Sequence, residues 1–500
     1  MTDERTNFPT TRRTALKALG GASLLPFGAG SATAGTASTT ASTTTIDDGF
    51  DLSASGLHQA LVVFEDDADP GRLGTLDLQN GHHAFEVLPV GYAELTADQI
   101  ETVADWDDVR YVEQNRELEL HNDDAREVTG AGTVQSDLGY DGESVHAVVI
   151  DTGIDGDHPD LASSLVANYQ WAGDPLETSG TLWVEVGSAD SDELGHGTHC
   201  AGSVGGDGSA SDGEFRGMAP AADLTGYSTS AGAVLIKAIA AYDHMLANGD
   251  GETYQVVSNS YGTTSGDDFN PDGALEVATW YAFEQAILPV FSASNSGEDD
   301  LGNPQTNMLN NYAKAPHVLG VAATDDEKAV TAFSSRGRTP DYAGGGEGAH
   351  YDRATALDNL RDYYAHEDFE GPHGIYRVGV GAPGNYVVST LSEEDPLQGY
   401  AAGTEYQDTR IYYGACSGTS MSCPVTAGVA SLVVDAYRQN HGTYPDPLDV
   451  LNTLEATAYE AHDAYTPWNV GAGFVDAEIA VERAESGDLA GFDDVALTDY

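Results

Sequence analysis

Three short stretches set chemically capable side chains beside glycine-rich turns. Val148-Val149-Ile150-Asp151-Thr152-Gly153 delivers an acid directly after an apolar run. Gly195-His196-Gly197-Thr198-His199-Cys200 offers two imidazoles, and Gly418-Thr419-Ser420-Met421-Ser422-Cys423-Pro424 offers two serine hydroxyls. A hydroxyl, an imidazole and a carboxylate on three separated loops can act as nucleophile, general base and orienting acid in acyl transfer. Position alone leaves rivals at each role: Ser417 and Ser422 beside Ser420, His199 beside His196, and Asp155 and Asp157 beside Asp151. The cysteines Cys200, Cys416 and Cys423 lie next to these stretches. A Cys416–Cys423 bridge is possible, but spacing does not establish one.

These loops need a scaffold that brings them to one place. From about residue 125 the chain alternates strand and helix signals. Val145–Ile150 is a nearly continuous apolar run, as a buried parallel strand requires. Leu235, Ile239, Tyr242 and Leu246 repeat on one helix face. Residues 256–260, 287–291 and 317–322 read as further strands, 275–286 as a helix, and Val425–Val434 as another. The pattern predicts a doubly wound α/β fold with a parallel sheet, whose ligands bind beyond the carboxyl ends of the strands. Before it, Leu61–Phe64 and Asp108–Glu113 read as strands and residues 97–103 as a helix capped by Thr96, a small α+β unit.

The chain has 500 residues, 81 acidic against 20 basic, and a net charge of −61. Only Lys17, Lys237, Lys314 and Lys328 are lysines. Such a chain is not a nucleic-acid binder, because phosphate contacts need Lys and Arg clusters. Hydrophobic residues make up 40%, enough for a sizeable core and too many for a disordered acidic chain. Self-repulsion at this charge weakens a compact state unless salt screens it, and the Debye length falls to about 3 Å at 1 M. The composition predicts a protein adapted to molar salt. After the N-terminus no apolar run reaches the roughly 18 residues of a spanning helix. Arg12-Arg13, a mildly apolar stretch from Ala18 to Gly30, and Ala32-Thr33-Ala34 resemble a twin-arginine (Tat) signal with its cleavage site, which predicts export.

All three motif segments, in the order Asp, His, Ser, resemble those of the subtilisin-like serine proteases (subtilases, peptidase S8), and within them the halolysin type of halophilic archaea. The resemblance spans nearly the whole chain. It implies a subtilisin-like doubly wound sheet and a secreted serine endopeptidase acting on protein and peptide substrates. Asp151, His196 and Ser420 become the triad, with His199 a packed histidine. Phe291–Gly297 resembles the oxyanion segment, which gives Asn295 the oxyanion role, although Ser294 stands where the family usually has glycine. Ser260, Tyr261 and Gly262 resemble the edge that pairs with substrate backbone, and Tyr227-Ser228-Thr229 would form the opposite rail. Val425 replaces the family's usual histidine after the proline, at a structural position.

The organisation implied is a signal peptide at 1–34, a Ser/Thr-rich linker at 35–56, an inhibitor-type propeptide at 57–122, the peptidase domain at 123–485 and an acidic tail at 486–500. The propeptide would serve as an intramolecular partner, chaperoning folding and occupying the cleft, with autocleavage near 119–127. An insertion at 339–376, carrying His350, His366 and His373, is expected as a solvated surface excursion. The chemistry requires no cofactor. A structural calcium is implied at Asp160, nine residues after Asp151, with Asp207 and Asp212 in the loop 205–212. No membrane span is expected, and the protein is expected to be a monomer. A serine esterase of the α/β-hydrolase type would instead show G-x-S-x-G and the order Ser, acid, His.

Overall fold

The computed structural model describes residues 46–497, apart from 48–49, 51, 54–55, 66–67, 86–88, 115–124, 177–180, 233, 300, 393–394 and 400–411. The signal peptide, most of the linker and Leu118–Asn122 of the expected maturation segment lie outside the described residues. The chain divides into two compact units, Gly28–Glu119 and one running through Leu120–Tyr500.

In the smaller unit, β1 (His58–Phe64), β2 (His82–Ala84), β3 (Val90–Leu95) and β4 (Val109–Gln114) form an antiparallel sheet in the order β2-β3-β1-β4. Helix α1 (Ala97–Ala104) starts at Thr96, whose side chain accepts from the Gln99 N–H while Gln99 reaches back to the Thr96 N–H. This capping box is centred on the Thr96 cap that the sequence predicts. Ala60, Val62, Phe64, Leu95, Ile100, Val103 and Val112 bury together as its core.

The larger unit is built on eight strands. They are β5 (His146–Asp151), β6 (Leu165–Trp171), β7 (Trp183–Glu185), β8 (Asp223–Ser228), β9 (Val256–Asn259), β10 (Leu288–Ser292), β11 (Leu319–Thr324) and β12 (Val380–Pro383). The sheet order is β12-β11-β10-β9-β5-β8-β6-β7, parallel except for β7. This is a subtilisin-type α/β fold. A parallel sheet needs both faces covered. One apolar cluster packs Ala147 and Val149 of β5 with Val204, Val425, Val429 and Leu432. The other packs Val148 and Ile150 with Tyr242, Leu275 and Phe283. The helices that supply these faces are α2 (His196–Gly205), α3 (Leu235–Asn248), α4 (Ala274–Glu284), α5 (Arg353–Ala365) and α6 (Thr419–His441). The longer helices that follow are α7 (Pro447–Thr457) and α8 (Ala477–Ser486). A two-stranded ribbon joins β13 (Val387–Thr390) and β14 (Tyr413–Cys416).

The insertion is not a solvated excursion. Its helix α5 buries Ala356, Leu357 and Leu360, and Arg353 turns inward to Glu455 on α7. Arg377, just past the insertion, meets the same carboxylate. Apolar helix spacing was hidden there by the surrounding charge. The tail is likewise packed in part: Ala490 is buried, and its N–H donates to Thr453 Oγ1. All three cysteines are free and buried, so Cys416 and Cys423 are not bridged. Cys423 instead turns its Sγ toward Val290 O (3.5 Å) and Asn259 O (3.6 Å) on the sheet.

Candidate active site

Asp151 is the last residue of β5 and His196 the first of α2, so strand end and helix start meet in the crevice. His196 Nδ1 lies 2.6 Å from Asp151 Oδ1, which also accepts from the Thr152 N–H. Both side chains are buried. Burial opposes the charged imidazole, but the charge and hydrogen bond of Asp151, with the charge of Asp192, outweigh it and hold His196 above its ordinary pKa.

Asp192 is a buried acid beside the candidate site that the sequence reading missed. Its Oδ1 accepts from Thr152 Oγ1, Leu194 N and Gly195 N, and its Oδ2 from Thr198 N and Thr198 Oγ1. It thereby satisfies amides at the start of α2 and ties them to the residue after Asp151. The available signal was an acid four positions before His196, where a helix begins.

Ser420 is the second residue of α6, buried at the helix N-terminus. Gly418 precedes it at φ +157, and a Cβ there would stand 3.2 Å from Asn295 Nδ2, so the approach of Asn295 to the helix start favours glycine. Ser420 Oγ donates to Ser260 O at 3.2 Å, and Ser260 Oγ donates to Ser420 O at 2.8 Å. Among the described residues His196 Nε2 is buried without a hydrogen-bond partner, while Ser420 Oγ is turned to Ser260 O. Cys200 links the two sides: its Sγ is 3.8 Å from His196 Nδ1 and donates to Ser420 O at 3.4 Å. Burial pushes this thiol's pKa well above its usual value, so it is a packed group and no thiolate.

The rivals are occupied elsewhere. Ser422 Oγ donates to Thr419 O within the helix, and Ser417 Oγ pairs with Asn385 and Tyr386. His199 Nε2 contacts Val387 O and Gly414 O, and burial lowers its pKa to about 4. Asp155 takes the hydroxyl of Ser392.

Asn295 Oδ1 accepts from Thr419 N (2.8 Å) and Thr419 Oγ1 (3.0 Å), which fixes the amide by its oxygen at the residue before Ser420. The preceding Ser294 sits at φ +82, a left-handed conformation that explains why glycine is usual there. On the expected substrate edge, Ser260 faces Ser420, Tyr261 turns its hydroxyl inward to Asn259 Oδ1 (2.7 Å), and Gly262 packs on Asn310. The opposite rail is a correction. Tyr227 and Ser228 are still sheet residues, paired with Ile150 and Asp151, and Thr229 is buried with its N–H on Asp151 O. The chain leaves the sheet past Ser228 and becomes partly exposed from Ser230.

The fold brings the loop of Asp207 against Asp160, with Asp207 N–H donating to Asp160 O at 3.0 Å, but among the described residues Asp160, Asp207 and Asp212 do not form a group of three side chains close enough to share one ion. Asp160 Oδ1 accepts from Ala210 N and its Oδ2 from Tyr413 OH. Asp207 accepts from Ser209 N and Ser163 Oγ, Arg216 Nε donates to Asp207 O, and Asp212 is exposed. The Asp160 and Asp207 carboxylates thus each accept from two protein donors. Among the described residues, the group of three ligand-type side chains close enough to share an ion is Asp151, His196 and Cys200, the candidate triad region itself. His350, His366 and His373 form no such group; His373 pairs with Glu347.

The family model for peptidase S8, described as the subtilase family, matches residues 142–473. The chain belongs to the subtilase family. It is similar to the serine protease AprX of Bacillus subtilis, at 27% identity over 412 residues covering 78% of each chain. It is also similar to a thermostable alkaline protease of Halalkalibacterium halodurans, at 26% over 71% of this chain and 75% of that one. Thermitase of Thermoactinomyces vulgaris is 25% identical over 68% of this chain and 92% of its own. This subtilase is a serine-type endopeptidase, and protein is its substrate.

Proposed function

We propose that Ser420, His196 and Asp151 carry out the peptide hydrolysis, with Asn295 and the Ser420 N–H as the oxyanion donors. Ser420 Oγ attacks the scissile carbonyl as His196 Nε2 takes its proton. The tetrahedral oxyanion collapses to an acyl-enzyme, and the amine leaves with the proton from His196. Water then repeats the sequence and frees the acid. Asp151 fixes the tautomer that leaves Nε2 basic and stabilises the imidazolium. The observation that carries the reading is the buried Asp151–His196 pair at 2.6 Å with Nε2 unpartnered beside the helix that carries Ser420 in its first turn.

The wider reading is a secreted, Tat-exported zymogen of halolysin type working in molar salt. Its support is the Arg12-Arg13 signal pattern, the compact unit ahead of the peptidase, and the net charge of −61. The test is expression of the full precursor and its Ser420→Ala form in molar salt, followed by size, N-terminal sequence and casein digestion. Wild type should shed residues 35 to about 122 and digest casein, while Ser420→Ala stays full length and inert. Equal maturation and activity in both would sink the assignment of Ser420.

A further inference from the structure

The crevice that should hold the residue before the scissile bond opens between two neighbouring strands. β9 and β10 are paired up to Asn259 and Phe291. Beyond those residues the two chains run on as Ser260–Gly262 and Ala293–Asn295, the substrate edge and the oxyanion segment. No strand ladder fixes their separation from there. In open parallel sheets ligands enter at such a point, outside the carboxyl ends of the strands.

We propose that Asn310 is the positioning residue that sets this separation. Its side chain is fully buried. Nδ2 donates to Tyr261 O at 3.0 Å on one wall and to Ser292 O at 2.8 Å on the other. Its own N–H donates to Ala293 O at 2.9 Å. Oδ1 accepts from Tyr312 N at 3.2 Å, which anchors the residue as the cap of the turn Asn311–Lys314. Two carbonyl oxygens face one end of the amide and an N–H faces the other, so a single orientation satisfies them all. Gly262 completes the fit, since a Cβ there would collide with the Asn310 amide. Asn310 thus clamps the residue after Ser260 to the residues two and three positions before Asn295. It touches neither substrate nor reacting atoms; it acts through Asn295.

The proposal rests on the oxyanion role of Asn295, and a double-mutant cycle separates the two. Asn310→Asp keeps the oxygen that caps Tyr312 N and removes both bridging N–H groups. Gly262→Ala forces the clamp apart from the other side and serves if Asn310→Asp does not fold. Each is made alone and with Asn295→Ala, and kcat and KM are read on a chromogenic peptide anilide. Rates are normalised to active sites titrated with a fluorophosphonate, and thermal unfolding reports folding.

The expected result is a tenfold to hundredfold fall in kcat for either variant, with KM changed less. In the Asn295→Ala background the same change should cost less than threefold, because the group being positioned is gone. An equal loss in both backgrounds, or a loss confined to KM or to thermal stability, overturns the proposal. If Asn295→Ala alone leaves kcat intact, the oxyanion reading itself fails and the proposal falls with it.

Discussion

The cleft and the 339–376 insertion both bury charge, and they finish it differently. At the insertion, Glu455 accepts from Arg353 Nη2 at 2.6 Å and from Arg377 Nη1 and Nη2 at 2.8 Å each. Further guanidinium hydrogens go to carbonyls of Pro316, Val318, Tyr351 and Val378. The carboxylate and both guanidiniums there are answered. At the cleft, His196 Nε2 is left unanswered and Ser420 Oγ makes one long bond to a carbonyl. Saturated charge holds two parts of the fold together; unsaturated charge is held in readiness for a ligand. The lesson is that burial of an ionisable group does not by itself mark a working site.

The largest expected effect breaks the saturated cluster. Glu455→Gln leaves two buried guanidiniums facing a neutral amide, a change that costs about 3–5 kcal/mol in comparable pairs. Denaturant unfolding of the Ser420→Ala form should show it, while kcat of the active enzyme at moderate temperature stays within a few-fold. The same group sets a pH window. Burial alone would raise its pKa, but the two arginines hold it at about 2, below the usual 4.5. Its contribution is complete above about pH 4.5 and is lost as pH falls toward 2. Unfolding curves that ignore this range would contradict the assignment.

The converse variant is Asn295→Ala. Removing one oxyanion donor costs roughly 2.7–4 kcal/mol of barrier, or about 10²–10³ in kcat. Its thermal midpoint should move little. If Asn295→Ala unfolds the protein, or Glu455→Gln removes catalysis without destabilising it, the contrast between the two regions is wrong.

A smaller effect concerns protonation at the cleft. His196 must be neutral to act as base, and Asp151 and Asp192 raise its pKa above 6.5. Activity should therefore fall on the acid side through a midpoint above 6.5. Asp192→Asn should move that midpoint downward while Asp151 still orients the ring. A kcat/KM profile with an unmoved acid limb would remove Asp192 from the electrostatics and leave it only as the cap of α2.

The contrast also explains what could be read in the chain. Asp151, His196, Asn295 and Ser420 each sit in a local signature: a buried strand followed by a polar segment, or a glycine turn before a helix. The doubly wound sheet followed from apolar runs of strand length alternating with 3.6-residue periodicity. Glu455 lies 102 positions from Arg353 and 78 from Arg377, and Asn310 is 49 from Tyr261. Contacts at that separation leave no spacing in a single sequence. The insertion was mistaken for a solvated loop because charged side chains help to bury it. The rail at Tyr227–Thr229 was misplaced because where a strand stops pairing is set by its neighbours.

The smallest effect tests whether the cleft stores strain. Ser294 holds φ +82, where a residue with a Cβ is disfavoured by roughly 1–2 kcal/mol. Ser294→Gly removes that penalty but loosens the unfolded chain, which offsets about 0.5–1 kcal/mol of it. The net expectation is a gain of about 0–1 kcal/mol, read as a small rise in thermal midpoint. Catalysis should be unchanged, because the contact made here is by backbone: Ser294 O accepts from Ser335 N at 2.8 Å. A stability loss beyond about 1 kcal/mol would mean that the serine side chain supports the oxyanion segment. The strain would then be a by-product of that support, and the cleft would resemble the saturated insertion more closely than the bonds around Ser420 suggest.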